Sequence, residues 1–201
     1  MLKLLKASIV ILAKAHNPSI ISPDWIIKEL GIKDKCTNFV HTPPFSLFES
    51  DHFLLTADTE RLELICKELD KESILTCANA AAAYIGKLPH IPYKAAGMNF
   101  TWLVELDTVD SLPEIKLSIG QADIGSVFGT VNIQYGGIIK LQYDSYVLTV
   151  TANYQGDKTV TLSFNYHYDY AKNSASIDTI LRSFGNLQDK SKEYTKHLIT
   201  K

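Results

Sequence analysis

Polar and apolar positions alternate most regularly between 146 and 168. Tyr146, Leu148, Val150 and Ala152 share one parity, and Val160, Leu162, Phe164, Tyr166 and Tyr168 repeat it. Thr149, Thr151, Asn153, Thr159, Thr161, Ser163, Asn165 and His167 occupy the other parity. Successive strand side chains point to opposite faces, so this pattern predicts antiparallel strands with one buried and one wet side. Segments 127–135, 138–143, 146–153 and 158–168 read as a meander, with Gly136-Gly137, Asp144-Ser145 and Gln155-Gly156-Asp157 as its turns. A long strand at 94–106 precedes it, followed by a short helix opened near Pro113.

The first half shows the same kinds of signal. Ser8 to Ala13 is rich in β-branched residues and predicts a buried strand. In the stretch HNPSIISPDWIIKELG at 16–31, Asn17-Pro18 ends that strand, Ser22 caps a short helix, Pro23 suits its first position and Gly31 its left-handed stop. Trp25, Ile26, Ile27 and Leu30 give this helix an apolar side. After a loop containing Pro43-Pro44, short β segments follow at 45–50, 52–57 and 61–66. Helical spacing then relates Ile74, Cys77, Ala78, Ala81, Tyr84 and Ile85, and the alanine run 80–83 allows close packing against a sheet or another helix. A final helix starting near Ser174 places Ile177, Ile180, Phe184, Leu187, Ser191, Tyr194 and Leu198 three and four apart, an apolar seam interrupted at Ser191.

Each half therefore runs strand, short Pro-opened helix, several antiparallel strands, long helix, and the matching elements lie about 90 residues apart. This order predicts an α+β fold: a curved antiparallel sheet with helices on one face, built from two fused β-α-β(3-4)-α units. The halves are 1–91 and 92–201, sharing one sheet. In element order alone the chain resembles the pseudo-symmetric saddle of TATA-box-binding proteins, or a helix-grip fold.

Composition narrows the function classes. The chain has 201 residues, 46% hydrophobic and 21% charged, with a formal charge of −2, so no global field draws it to nucleic acid or anionic lipid. Three cysteines without a CxxC pair argue against a disulfide framework or a structural zinc site and fit a reducing compartment. Met1 to Ala15 imitates a signal peptide, but its short apolar run and Lys14 beside the would-be cut favour an uncleaved first strand. No segment reaches the roughly 18 uninterrupted apolar residues of a membrane span, and a cytoplasmic location is the expectation.

Motifs for chemistry are sparse. Gly120, Gly125 and Gly129 are too widely spaced for a phosphate loop or a dinucleotide fingerprint, and GxSxG and HExxH are absent. Glu49-Ser50-Asp51-His52 gathers two carboxylates and an imidazole, but consecutive strand residues diverge and Ser50-Asp51 has hairpin composition. His16 suits a backbone hydrogen bond, and His90 stands in the stiff connector Leu88-Pro-His-Ile-Pro92. No catalytic residue, metal ligand or cofactor follows from these features.

The expected binding groups are His52, His90, His167, Thr149, Thr151, Thr161 and Asn165. The wet face of the meander, with Lys140 nearly its sole charge, suits a protein, peptide or neutral ligand and disfavours DNA. Sheet edges also permit pairing with another chain. The reading is a non-catalytic protein-binding or accessory protein that uses its sheet face, a sheet edge or the terminal helix, with another protein or a second copy as partner. The alternative is a ligand-binding or enzymatic helix-grip-like domain with a histidine-containing cavity between sheet and helix.

The strings HNPSIISPDW at 16–25, TPPF at 42–45 and YIGKLPHIPYKAAGMNF at 84–100 are similar to a sporadically distributed family of uncharacterised bacterial proteins. In that family Asn-Pro-Ser, Pro-Pro and Leu-Pro-His … Gly-x-Asn-Phe elements recur in this order. The resemblance covers roughly the first half. It implies a bacterial source and an association with mobile elements or defence loci, and it brings no catalytic residues.

Overall fold

The computed structural model describes residues 1–105, 136–154, 158–172 and 175–199. In chain order the elements are β1 (Leu2–Ala13), α1 (Pro23–Glu29), β2 (Asn38–Thr42), β3 (Phe45–Glu49), β4 (Phe53–Ala57), β5 (Arg61–Cys66) and α2 (Lys71–Lys87). They continue with β6 (Tyr93–Glu105), β7 (Gly136–Gln142), β8 (Val147–Tyr154), β9 (Thr159–Asp169), α3 (Ile177–Arg182) and α4 (Phe184–Ile199). The nine strands among the described residues form one open sheet in the order β2-β3-β4-β5-β1-β6-β9-β8-β7, every pair antiparallel. Outward from the central β1–β6 pair, β5-β4-β3 on one side mirrors β9-β8-β7 on the other, and β2 is a further strand on the first side. The α+β sheet with helices on one side agrees with the order of elements read from the sequence.

Strand parity decides which side is covered. In β1, Ala7, Ile9, Ile11 and Ala13 are fully buried, and Phe53, Leu55, Leu62 and Leu64 continue that surface on β4 and β5. Helix α2 lies over it. Asp70 starts the helix by accepting the Ser73 N–H at 2.8 Å. The small side chains Ala78, Ala80, Ala81 and Ala82 are buried, so the helix packs closely on more than one side. Helix α1 is capped by Ser22, which accepts the Trp25 N–H at 3.2 Å, and Gly31 leaves it with a φ of 68°.

On the second half, Phe100, Phe164 and Phe184 form the centre, with the Phe100 and Phe184 rings stacked at 4.9 Å. The final helix is two helices rather than one. Ser183 ends α3 by donating its hydroxyl to the Ile180 carbonyl at 2.6 Å, a side-chain bond that competes with helix propagation, and α4 restarts at Phe184. Ser191, the polar residue in the apolar seam, is a fastening point. Its Oγ accepts the indole N–H of Trp102 on β6 at 2.8 Å and donates to the Gln188 carbonyl at 2.7 Å. Farther along, the Lys190 ammonium lies 5.7–5.9 Å from the rings of Tyr143, Tyr146 and Tyr194 and donates to the Tyr146 hydroxyl at 3.2 Å.

Several expectations need correction. Strand β2 was not foreseen, and Pro43-Pro44 belongs to the tight turn joining it to β3. Gly136-Gly137 is no turn: both residues lie within β7, opposite Asn153 and Ala152 of β8. The strand at 127–135, the helix opened near Pro113 and the turn at 155–157 lie outside the described residues.

Candidate binding face

The stretch 16–31 turns the chain and seals a corner. His16 is buried, its Nε2 donating to the Ile11 carbonyl at 3.2 Å while its Nδ1 accepts the Tyr84 hydroxyl at 3.0 Å. Burial lowers its pKa from the ordinary 6.5, against the opposing pull of the Ile11 carbonyl and the Asp58 charge. Asn17 then accepts the Ser19 N–H to start a single 3-10 turn at Pro18–Ile20. Both ring nitrogens are engaged with the protein, which makes His16 a structural group.

Among the described residues no helix covers the other side of the sheet. Its centre holds a concavity of about 400 Å³ spanning β5, β1, β6, β9 and β8. Register builds the floor in rows. Ser8, Asn99, Asn165 and Thr149 are successive cross-strand partners, as are Val10, Gly97 and His167, and Lys6, Thr101, Ser163 and Thr151. Asn165 donates its amide to Asn99 Oδ1 at 2.6 Å, Asn99 reaches Ser8 Oγ at 3.5 Å, and the Thr101 and Ser163 hydroxyls meet at 3.1 Å. This polar seam crosses the joint between the halves. Gly97 keeps the floor low, since a Cβ there would lie 3.4 Å from the Asn165 amide nitrogen.

Among the described residues lining the concavity, Lys6, Arg61 and Glu63 carry the charge and lie on one rim. Glu63 is bonded by Arg61 at 2.8 Å and has Lys6 at 3.8 Å, so the two cations of the concavity share one anion. On the first half the open side is more apolar, with Leu47, Leu54, Ile65, Val10 and Leu12 half-buried. On the second half hydroxyls and amides dominate.

The expected binding groups divide. Thr149, Thr151, Asn165 and His167 line the concavity, and His167 also borders a second hollow of about 180 Å³ at the β7–β8 turn with Gln142, Asp169 and Lys172. Thr161 has the same parity but spends its hydroxyl on the Asn153 carbonyl at 3.4 Å. His52 is elsewhere, in the β3–β4 turn, with Nδ1 bonded to Asp34 at 2.7 Å. That bond raises the His52 pKa above 6.5. Burial pushes the Asp34 carboxyl up, but hydrogen bonds from His52 and Ser50 outweigh it and hold the group below its ordinary value. His90 is exposed on the connector between α2 and β6. None of these three histidines lies between sheet and helices.

Sequence reasoning missed Ser8, Asn99, Gly97 and Thr101, the first-half and central contributors to the floor. The signal was present in the alternation Gly97-x-Asn99-x-Thr101 and in Ser8 at the head of an apolar run. A Ser-His contact also exists at the other end of the sheet. There Ser46 donates its hydroxyl to the Pro18 carbonyl at 2.7 Å, so its oxygen is left to accept from His41 Nδ1 at 2.7 Å, opposite in polarity to an activated nucleophile.

Among the described residues no group of three or more His, Cys, Asp or Glu side chains is arranged to hold a metal ion, and no helix is long and apolar enough to cross a membrane. No protein-family model matches the chain, and no curated protein matches it significantly.

Proposed function

We propose that the chain is a non-catalytic binding protein whose partner protein lies across the open face of the sheet. The observation that carries this reading is the concavity over the β1–β6 joint, which no described helix covers and whose described floor is of uncharged hydroxyl and amide groups rather than cations. A phosphate backbone needs several free Lys or Arg, and here Lys6 and Arg61 already share Glu63. A polypeptide offers the matching chemistry: amide donors and acceptors for the Asn and Thr side chains, and apolar side chains for the Leu47, Leu54 and Ile65 side. Strand β7, the last of the described strands at that end of the sheet, adds exposed Ile138, Ile139 and Leu141 beside the hydroxyl-rich half.

The mirrored strand order supports reading the chain as two fused copies of one unit, and the free cysteines support a reducing, cytoplasmic setting. The bacterial resemblance favours an accessory role in a mobile element or defence locus. A second reading, a small neutral ligand in the same concavity, is favoured by its volume, which falls within the roughly 300–1,000 Å³ of small-molecule sites.

The test compares affinity capture by the wild-type chain, by Thr149→Arg and Thr151→Arg on the open face, and by Leu75→Arg on the exposed side of α2, after circular dichroism confirms folding. The expected result is a stoichiometric protein partner retained by wild type and Leu75→Arg and reduced at least about tenfold by the open-face variants, the loss of ~1.4 kcal/mol or more. Equal capture by all four chains, or a co-purifying metabolite with no protein, overturns the proposal.

A further inference from the structure

The connection from β5 to α2 brings two thiols together. Leu62, Leu64 and Cys66 alternate on the buried side of β5, and Cys66 is the last residue of that strand. Residues 67–70 reverse the chain, and the Asp70 cap fixes the rotational setting of α2 so that Ile74, Cys77, Ala78 and Ala81 are buried. Strand parity and helix phase thus aim Cys66 and Cys77 at one another. Their Sγ atoms are 3.0 Å apart. A disulfide bond measures about 2.05 Å, so closure requires only about 1 Å of approach shared between two side chains. Cys36, the third cysteine, is separately placed in the loop before β2, where its Sγ contacts the Asn38 carbonyl at 3.4 Å.

We propose that Cys66 and Cys77 are a reversible oxidation site, forming an intramolecular disulfide that staples α2 to β5 when the protein meets a peroxide. Both residues belong to the core, Cys66 with 5% of its surface exposed and Cys77 with none. On the proposed route Cys66, at the end of its strand and the less deeply buried residue, meets the oxidant first. The adjacent Cys66 sulfur, burial and the Asp34 charge all push the Cys77 thiol upward, which keeps Cys77 protonated until the second step. In the first step the Cys66 sulfur attacks one peroxide oxygen, the O–O bond breaks, and a sulfenic acid and one water form. In the second, the Cys77 sulfur displaces that hydroxyl from Cys66, the S–S bond forms, and the hydroxyl leaves as a second water with the Cys77 proton. Two thiols are oxidised by two electrons in all, and one peroxide is reduced to two waters. A dithiol reverses the reaction by exchange.

The staple closes the short loop 67–76. Restricting the unfolded chain in this way raises Tm by roughly 5–10 °C for a chain of this size, provided the native geometry is already close to that of the bond.

The test uses the full chain treated with hydrogen peroxide under native conditions, alkylated, and digested with trypsin without reduction. The expected product joins the peptides 62–67 and 72–87, lighter than their sum by two hydrogens, with Cys36 alkylated and dithiothreitol restoring both peptides. Cys36→Ser keeps the cross-link, Cys66→Ser and Cys77→Ser each abolish it, and oxidised Cys36→Ser melts above its reduced form. Where a Cys66 or Cys77 variant fails to fold, the wild-type peptide map decides alone. Cross-linking through Cys36, a sulfinic acid at Cys66 beside an alkylated Cys77, or both thiols still alkylatable after peroxide would each overturn the proposal. An oxidised form melting no higher than the reduced one does so as well.

Discussion

Replacing Ser191 with alanine tests how the second half is fastened. Trp102 is 4% exposed and Ser191 fully buried, so when the serine oxygen is removed no solvent replaces it at the indole N–H. An orphaned buried donor costs about 1–3 kcal/mol, and the volume removed is small, so most of the loss in Ser191→Ala comes from that one N–H. In a chain of this size each kcal/mol lowers Tm by about 2–4 °C. Trp102→Phe removes the donor itself and leaves Ser191 still bonded to the Gln188 carbonyl, so its cost is one of packing. In the double variant the orphan no longer exists. The pair should therefore lose less than the sum of the single variants, by about 1–2 kcal/mol. Urea titrations followed by circular dichroism supply all four corners of the cycle. Additivity within about 0.5 kcal/mol, or a Ser191→Ala variant as stable as wild type, would refute the assignment of this hydrogen bond as the link between β6 and α4.

Four further outcomes follow from local chemistry. The unfolded chain protonates His16 near 6.5 while the folded chain resists the proton, so stability is complete above that pH and declines as pH falls through the window below it. Urea midpoints between pH 5 and 8 should show this decline, and His16→Gln should remove it. His52 has the opposite sign: its pKa is raised by Asp34, so its contribution is full below 6.5 and is lost as pH rises through the folded value, and Asp34→Asn should flatten that component. Gly31 has a φ of 68°, so Gly31→Ala should destabilise by about 1 kcal/mol. Gly86→Ala in α2, where no atom lies within 4 Å of the new methyl, should stabilise by about 0.5 kcal/mol in thermal melts.

The elements with strong periodicity were readable from the sequence because burial acts on one side of each. The parity of β8 and β9 identified both the covered face and the hydroxyl-rich face, and the spacing in α2 named its buried side chains. Edge structure was harder to read. Most of β2 is exposed, so Asn38 to Thr42 shows no apolar alternation, and its strand state is fixed by pairing with β3. Gly136 and Gly137 have turn chemistry, yet the pairing with β8 holds them extended. The break at Ser183 depends on one side-chain hydroxyl, which spacing of apolar residues cannot register. At the candidate site, Thr149, Thr151, Asn165 and His167 were named from alternation alone, whereas Ser8 and Asn99 are single polar positions in apolar strands and gain meaning only through cross-strand register. The His52–Asp34 pair joins residues 18 apart across a loop, a distance at which the sequence carries no local cue.

The position of β1 at the middle of the sheet has a consequence for biosynthesis. One flank of β1 is covered by β5, but the other waits for residues 93–105, and Ser8 meets Asn99 only after 91 further residues have been added. At about 5–20 residues per second, the ribosome leaves that flank of backbone amides and carbonyls bare for several seconds. A nascent chain arrested before β6 would expose a ready template for another such chain, so translation stalling in this interval should yield aggregates rather than a soluble fragment.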